Sequence, residues 1–235
     1  QRRPENAHEA GEHHQLGRER CDGVGERGVP GVAVAAFGER HPATATSLNN
    51  LAAISTKMGD DAKAVSLYRR SLKITEDIFG KNHPMTARGL ANLAGVLYRQ
   101  GETTSAEQDY REAIRISESV SGPDHPDTGG MLNSLANLLT FAGRAAEAEP
   151  LLMRALRISE RANGNEHSST ARAWNDIGLV ARNQGKTEQA LAALERAVQI
   201  GEKVLGPEHP TTITFLQNLV LQQAEHDRDA ALIGM

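Results

Sequence analysis

Five histidines recur at a single interval. His41, His83, His125, His167 and His209 stand 42 residues apart, and imidazole is both a metal ligand and a proton carrier near neutral pH. Gly23-Val24-Gly25-Glu26-Arg27-Gly28 matches the letters of a dinucleotide-phosphate fingerprint. His8, Glu9, Glu12, His13 and His14 are residue types that suit zinc. Cys21 is the one thiol, and glutamates are frequent enough to suggest acid–base pairs. Each reading meets a geometric objection. Packed helices lie about 8–10 Å apart, whereas metal ligands converge on one ion over bonds of about 2 Å. Successive histidines therefore cannot share a metal, and helix capping explains them better. The glycine run follows a charged stretch instead of an apolar strand, and Pro30 and Gly31 follow it where a helix should open. The leader histidines lack the His-Glu-x-x-His arrangement. Glutamates such as Glu112 near Arg115 and Glu195 near Gln199 fit a solvated helix face. A lone cysteine cannot close a disulfide within the chain and reads as a free thiol in a reducing, cytoplasmic setting. No catalytic set, metal or cofactor is expected, and the chain is not read as an enzyme.

What the histidines mark is a repeat. With them as zero points, six further columns are identical through four units: Thr44/Thr86/Thr128/Thr170, Gly59/Gly101/Gly143/Gly185, Ala64/Ala106/Ala148/Ala190, Ile74/Ile116/Ile158/Ile200, Glu76/Glu118/Glu160/Glu202 and Gly80/Gly122/Gly164/Gly206. The units run 41–82, 83–124, 125–166 and 167–208, with a partial fifth over 209–227. Residues 1–36 read as an irregular or disordered leader or a degenerate repeat, with Val32–Phe37 a short turn that caps the array; 228–235 read as a C-terminal tail. The array spans 37–227.

Each unit holds two helices. Pro42 suits the first turn of helix A, Leu48, Leu51 and Ile54 are assigned to one face, and Gly59 ends it. Helix B carries Ala64, Tyr68, Leu72 and Ile74 inward, and Gly80 closes it. Neither helix can bury its apolar stripe alone, so units must stack. The expected fold is an all-α solenoid of αα-hairpins, four full repeats and a terminal helix. Small residues at Ala52, Ala94, Ala136 and Gly178, with the Ala64 column, mark close helix contacts. They account for an aromatic content of only 3% beside 39% hydrophobic residues. Trp174 shares the column of Leu48, Leu90, Leu132 and Leu216 and reads as a core anchor. A net charge of −4 argues against nucleic acid as a partner, and no stretch reaches the roughly 20 apolar residues of a membrane span.

The spacing of Leu48, Leu51, Ala52, Gly59, Ala64, Tyr68 and Ser71, repeated as Leu90, Leu93, Ala94, Tyr98, Gly101, Ala106, Tyr110 and Ala113, resembles the tetratricopeptide repeat. The 42-residue period, the Gly-x-x-His-Pro-x-Thr junctions and the Leu-Asn-Asn-Leu-Ala start are similar to the kinesin light chain type, which also occurs in bacterial scaffold and signalling arrays. The resemblance covers about residues 37–225 and implies a right-handed superhelix with a concave groove lined by polar helix-A positions. Carried over, the groove residues are Asn49, Asn50, Arg88, Asn92, Asn133, Asn137, Arg172, Asn175 and Asp176, joined by Thr46, Ala53, Ala91, Gly95, Gly130, Ser134 and Leu179. Amide side chains both donate and accept, so such a ladder suits an extended peptide backbone. Arg88 and Arg172, with Lys57, Arg99 and Arg182, bias it toward an acidic peptide or a C-terminal carboxylate. The full carboxylate clamp of chaperone-binding members is not reproduced, and Asp176 opposes an anion.

The resulting expectation is a non-catalytic, cytoplasmic protein-interaction scaffold that grips an extended, acidic peptide. An alternative is a regulatory or sensor array of a larger signalling ATPase or protease, of which this chain is a fragment. Self-association through terminal repeats is a third expectation.

Overall fold

The computed structural model describes residues 29–233, and among them every regular element is an α-helix. These are α1 (Val29–Phe37), α2 (Pro42–Lys57), α3 (Asp61–Phe79), α4 (Pro84–Arg99), α5 (Thr103–Val120), α6 (Pro126–Phe141), α7 (Ala145–Asn163), α8 (Ser168–Asn183), α9 (Thr187–Val204) and α10 (Pro210–Ile233). They fall into two compact units divided between Lys81 and Asn82. The first holds α1–α3 and the second α4–α10. Helices A and B of each repeat pair as hairpins: α2 with α3, α4 with α5, α6 with α7, α8 with α9. The Gly23–Gly28 motif, the His8–His14 cluster and Cys21 lie outside the described residues. None of the described helices is long and apolar enough to cross a membrane.

The repeated columns now have physical causes. Each of the five repeat histidines stands just ahead of a helix and uses Nδ1 to accept the N–H two residues on. The acceptances are from Ala43 (3.1 Å), Met85 (3.2 Å), Asp127 (3.2 Å), Ser169 (3.2 Å) and Thr211 (3.1 Å). A first-turn N–H with no intrahelical partner is thereby satisfied. The threonine three residues later is buried, and its hydroxyl donates to the carbonyl of the glycine six residues back: Thr44 to Gly38 (2.8 Å), Thr128 to Gly122 (3.1 Å) and Thr170 to Gly164 (2.9 Å). A helix-B serine shares the same hydroxyl, Ser117 with Thr128 at 2.8 Å and Ser159 with Thr170 at 3.0 Å. Each of these threonines thus ties the end of one helix to the start of the next.

The turn from A to B is a Schellman motif. After α2, Gly59 N–H reaches Thr56 O at 3.1 Å and Asp60 N–H reaches Ser55 O at 2.9 Å, with Gly59 at φ 81°. That left-handed backbone disfavours side chains, which fixes the Gly59 column. In α10 the same column holds Asp227. The turn is absent there, and the helix runs on unbroken for 24 residues to Ile233, through the segment expected as a tail.

Close packing follows the small residues. Ala64, Ala106, Ala148, Ala190, Ala52, Ala94 and Ala136 are all 0% exposed. Trp174 is half-buried against Ala171, Ala197, Val198, Ile200 and Phe215, as a core anchor should be. One assignment needs correction. Leu48 is buried and Leu51 half-buried, but Ile54 is exposed. Six residues turn a helix about 240° beyond a full turn, so Ile54 has left the face, which follows Ala45, Leu48, Ala52 and Ser55 instead. At the amino-terminal edge, α1 is a nine-residue helix beginning at Val29, longer than the expected turn. Its register matches the second half of a helix B, with Gly38 at φ 86° in the place of Gly80.

Gly178 occupies the Ala52 column, and a Cβ there would lie 2.6 Å from Leu194 Cγ. Leu194 is fully buried, so overpacking is unavoidable. Gly178→Ala should lower stability by about 1–3 kcal/mol in urea unfolding, and Gly178→Ala with Leu194→Val should recover part of the loss.

Candidate functional site

A 42-residue period brings one column to the same face of each helix A, and within the second unit α4, α6, α8 and α10 lie in sequence beside one another. Polar side chains join each neighbouring pair. Arg88 Nη2 on α4 meets Asp127 Oδ2 on α6 at 2.9 Å. On α6, Asn133 and Asn137 both donate through Nδ2 to Asp176 Oδ2 on α8, at 2.7 and 3.1 Å. Asn175 Nδ2 donates to Asp176 Oδ1 at 3.1 Å, and Asn218 on α10 donates to Asn175 Oδ1 at 2.8 Å. Asn133, Asn137, Asn175, Asp176 and Asn218 are therefore a connected chain of contacts, and Arg88 with Asp127 is a separate pair.

Its centre is the Asp176 carboxyl, buried with Asn175. Burial pushes this carboxyl above its ordinary range, opposed by the amide donations of Asn133, Asn137 and Asn175 and by the Arg172 charge. A carboxylate accepting three N–H bonds consumes donors that were expected to read a peptide backbone. What remains on α6 is Asn133 Oδ1, buried and without a partner. The expected positive bias is also reduced, since Arg88 pairs with Asp127 and the buried Asp176 carboxyl lies within the field of Arg172. Lys57, Arg99 and Arg182 stand in the last turns of their helices, where cations complement the helix dipole. Asn92 is half-buried on α4, and in the first unit Asn49 is half-buried and Asn50 exposed.

Beside this chain lies a cavity of about 290 Å³ lined by Asp127, Gly129, Gly130, Asn133, Ser134, Ala155, Ile158, Arg172 and Ala173, among others. Its origin is a substitution by column. Repeats one, two and four carry Thr46, Arg88 and Arg172 where the third has Gly130, and a Cβ at Gly130 would meet nothing within 4 Å. The cavity has an apolar side formed by Ile158, Ala155 and Ala173 and a polar rim that includes the exposed Arg172. Asp127, Gly129 and Asn218 belong to the face but were not picked out from the sequence. Asn218 was accessible there, because it extends the Asn50, Asn92, Ser134, Asp176 column by one more period.

This architecture defines the chain as a helical-hairpin repeat solenoid whose helix-A side chains are linked from repeat to repeat. The family model of the tetratricopeptide repeat matches it five times in overlapping registers, over residues 31–77, 43–119, 85–161, 127–200 and 169–232. The chain belongs to the tetratricopeptide repeat family. Among solved structures it is similar to BtubC (BKLC) from P. vanneervenii, with a TM-score of 0.71 and 23% identity over 92% of each chain. It is also similar to a kinesin light chain-type protein of nearly identical TPR-like repeats from Podosopora anserina, with a TM-score of 0.68 and 24% identity, covering 82% of this chain and 92% of the other. The apo form of RapI matches at a TM-score of 0.65 and 18% identity, over 80% of this chain and 66% of that one. At these identities the likeness is one of fold. No curated protein matches significantly.

Because the folded Asp176 carboxyl sits above its ordinary value of 3.8, the native state binds this proton more readily than the unfolded chain. Stability from this group is therefore present below 3.8 and lost as pH rises through the raised value. Wild type should gain stability relative to Asp176→Asn as pH falls through that window, measured as urea midpoints of both proteins. A constant difference, or one that grows with rising pH, would contradict the placement.

Proposed function

We propose that the chain is a non-catalytic protein-interaction scaffold whose helix-A face holds an extended peptide bearing at least one acidic side chain. Tetratricopeptide arrays are in general protein-binding scaffolds, which supports the class of partner. The observation that supports the mode of binding is the cavity opened by Gly130. It offers Arg172 for a carboxylate beside a wall that includes Ile158 for an aliphatic stem.

The energetics favour this division of labour. An exposed guanidinium is already hydrated and gains little from an isolated anion. A bidentate pair with a carboxylate held in place by neighbouring contacts is stronger and geometrically selective. The remaining amides, bound to Asp176, keep the face rigid, so little ordering cost falls on the receptor side.

An array of acidic and neutral ten-residue peptides tests the reading on the whole chain. Acidic peptides should be selected, and Arg172→Glu should weaken the selected ones about tenfold or more with unchanged far-UV circular dichroism. Arg196→Glu, on the outer helix α9, should leave them unaffected. Selection of no acidic peptide, or equal binding to Arg172→Glu, would remove the proposal.

A further inference from the structure

A second cavity, of about 240 Å³, lies in the first unit, far in character from the helix-A face. Val34, Thr44, Ile74, Arg40, Arg70 and Lys73 line it, with Glu39 and Asp77. Its lining differs by one carboxylate from the corresponding place two repeats later. Two repeats later, the residue in the Arg70 column is Arg154, whose Nη1 donates to Glu118 at 2.6 Å and whose Nη2 donates to the carbonyl of Pro123 at 2.7 Å. Glu118 belongs to the column that is glutamate in all four repeats. In α1 the corresponding residue is Val34. Arg70 therefore shares its cavity with an isopropyl group where its counterpart holds a carboxylate.

Neighbouring positions deepen the vacancy. In the third repeat Arg161 Nη1 meets Asp124 Oδ2 at 2.8 Å, and in the fourth Lys203 pairs with Glu166. The same two columns in the first unit hold Asp77 and Arg40, opposite charges in reversed order, and among the described residues they form no ion pair. Arg70 and Lys73 likewise have no ion-pair partner among the described residues. Three cations thus line one small cavity without an ion-pair partner among the described residues, while Val34 and Ile74 provide a half-buried apolar wall.

We propose that this cavity binds a small oxyanion, the carboxylate or phosphate of a metabolite-sized ligand, seated on Arg70 as Glu118 is seated on Arg154. The fork of an arginine donates two parallel hydrogen bonds to either group, and Arg40 and Lys73 add charge from the sides. The volume is below the usual range for drug-sized ligands, so the occupant is small. Glu39 and Asp77 leave the lining with a single net positive charge, which disfavours polyphosphates and nucleic acid and suits a mono- or dianion. The Val34 and Ile74 wall accommodates a short carbon chain. This site is independent of the peptide face.

The test titrates the full chain with succinate, inorganic phosphate and chloride at matched ionic strength, following backbone amides by ¹H–¹⁵N NMR. Succinate or phosphate should give saturable shifts around Thr44 and Ile74 that chloride does not, and the tighter of the two identifies the group. Arg70→Gln should weaken that binding about tenfold or more. Val34→Glu should also abolish it, by returning the missing carboxylate to the guanidinium, while Arg70→Gln stands alone if Val34→Glu disturbs α1. The proposal is overturned by shifts that chloride reproduces, by no saturable response to either oxyanion, or by unchanged binding in Arg70→Gln.

Discussion

A buried threonine hydroxyl, donated to the carbonyl of a glycine six residues earlier, is the contact on which the repeat geometry depends. It closes the junction between one helix B and the next helix A, at Thr44, Thr128 and Thr170. For that carbonyl to face the threonine, the glycine must adopt a left-handed backbone, as Gly122 does at φ 103° and Gly164 at φ 86°. The histidine cap between them satisfies the first-turn amide and sets where helix A begins. Once the entry angle is fixed, the two helices of a hairpin approach closely enough that only alanine or glycine fits at their crossing. A chain with few aromatic residues is the consequence: its core is made by proximity of backbones, with little room for rings.

The edges of the array show what each member contributes, because there the pattern is broken one residue at a time. Gly201 takes the place of Ser117 and Ser159, and Phe215 packs against it. The fifth junction threonine, Thr212, is then buried with its hydroxyl unpaired. Asp227 replaces the turn glycine, and α10 fails to fold back, leaving Ile213 and Val220 exposed on the face that elsewhere receives a helix B. Val34 stands where the repeats have glutamate, beside a cavity whose cations form no ion pair among the described residues. In the third repeat Gly130 replaces a longer side chain, and the peptide-face cavity opens. Each feature with potential for binding arises where a column loses a side chain.

Much of this was legible in the sequence. The period, the helix boundaries to within a few residues, the glycine turns and the alanine contacts all follow from local rules that act within one repeat. Ile54 was misplaced because three-residue steps drift off a 3.6-residue helix. Less was legible of the site, and for a different reason. Whether Asn133, Asn137 and Asn175 are free or occupied depends on contacts with Asp176 and Asn218 that span up to 43 residues, and such contacts are set by how the repeats stack. Their type and column were readable, but their commitment to one another was not. Cavities are harder still, since a missing side chain is visible only against the column it departs from.

The most direct measurement of the junction's role compares two threonines that look the same in sequence. Thr128→Val removes a hydroxyl bonded to Gly122 and Ser117, whereas Thr212→Val removes one that is buried without a partner. Urea unfolding should show a loss of about 1–3 kcal/mol for Thr128→Val and no loss, or a small gain, for Thr212→Val. Equal losses at both positions would show that threonine is there for its shape alone, and would contradict the account of the junction.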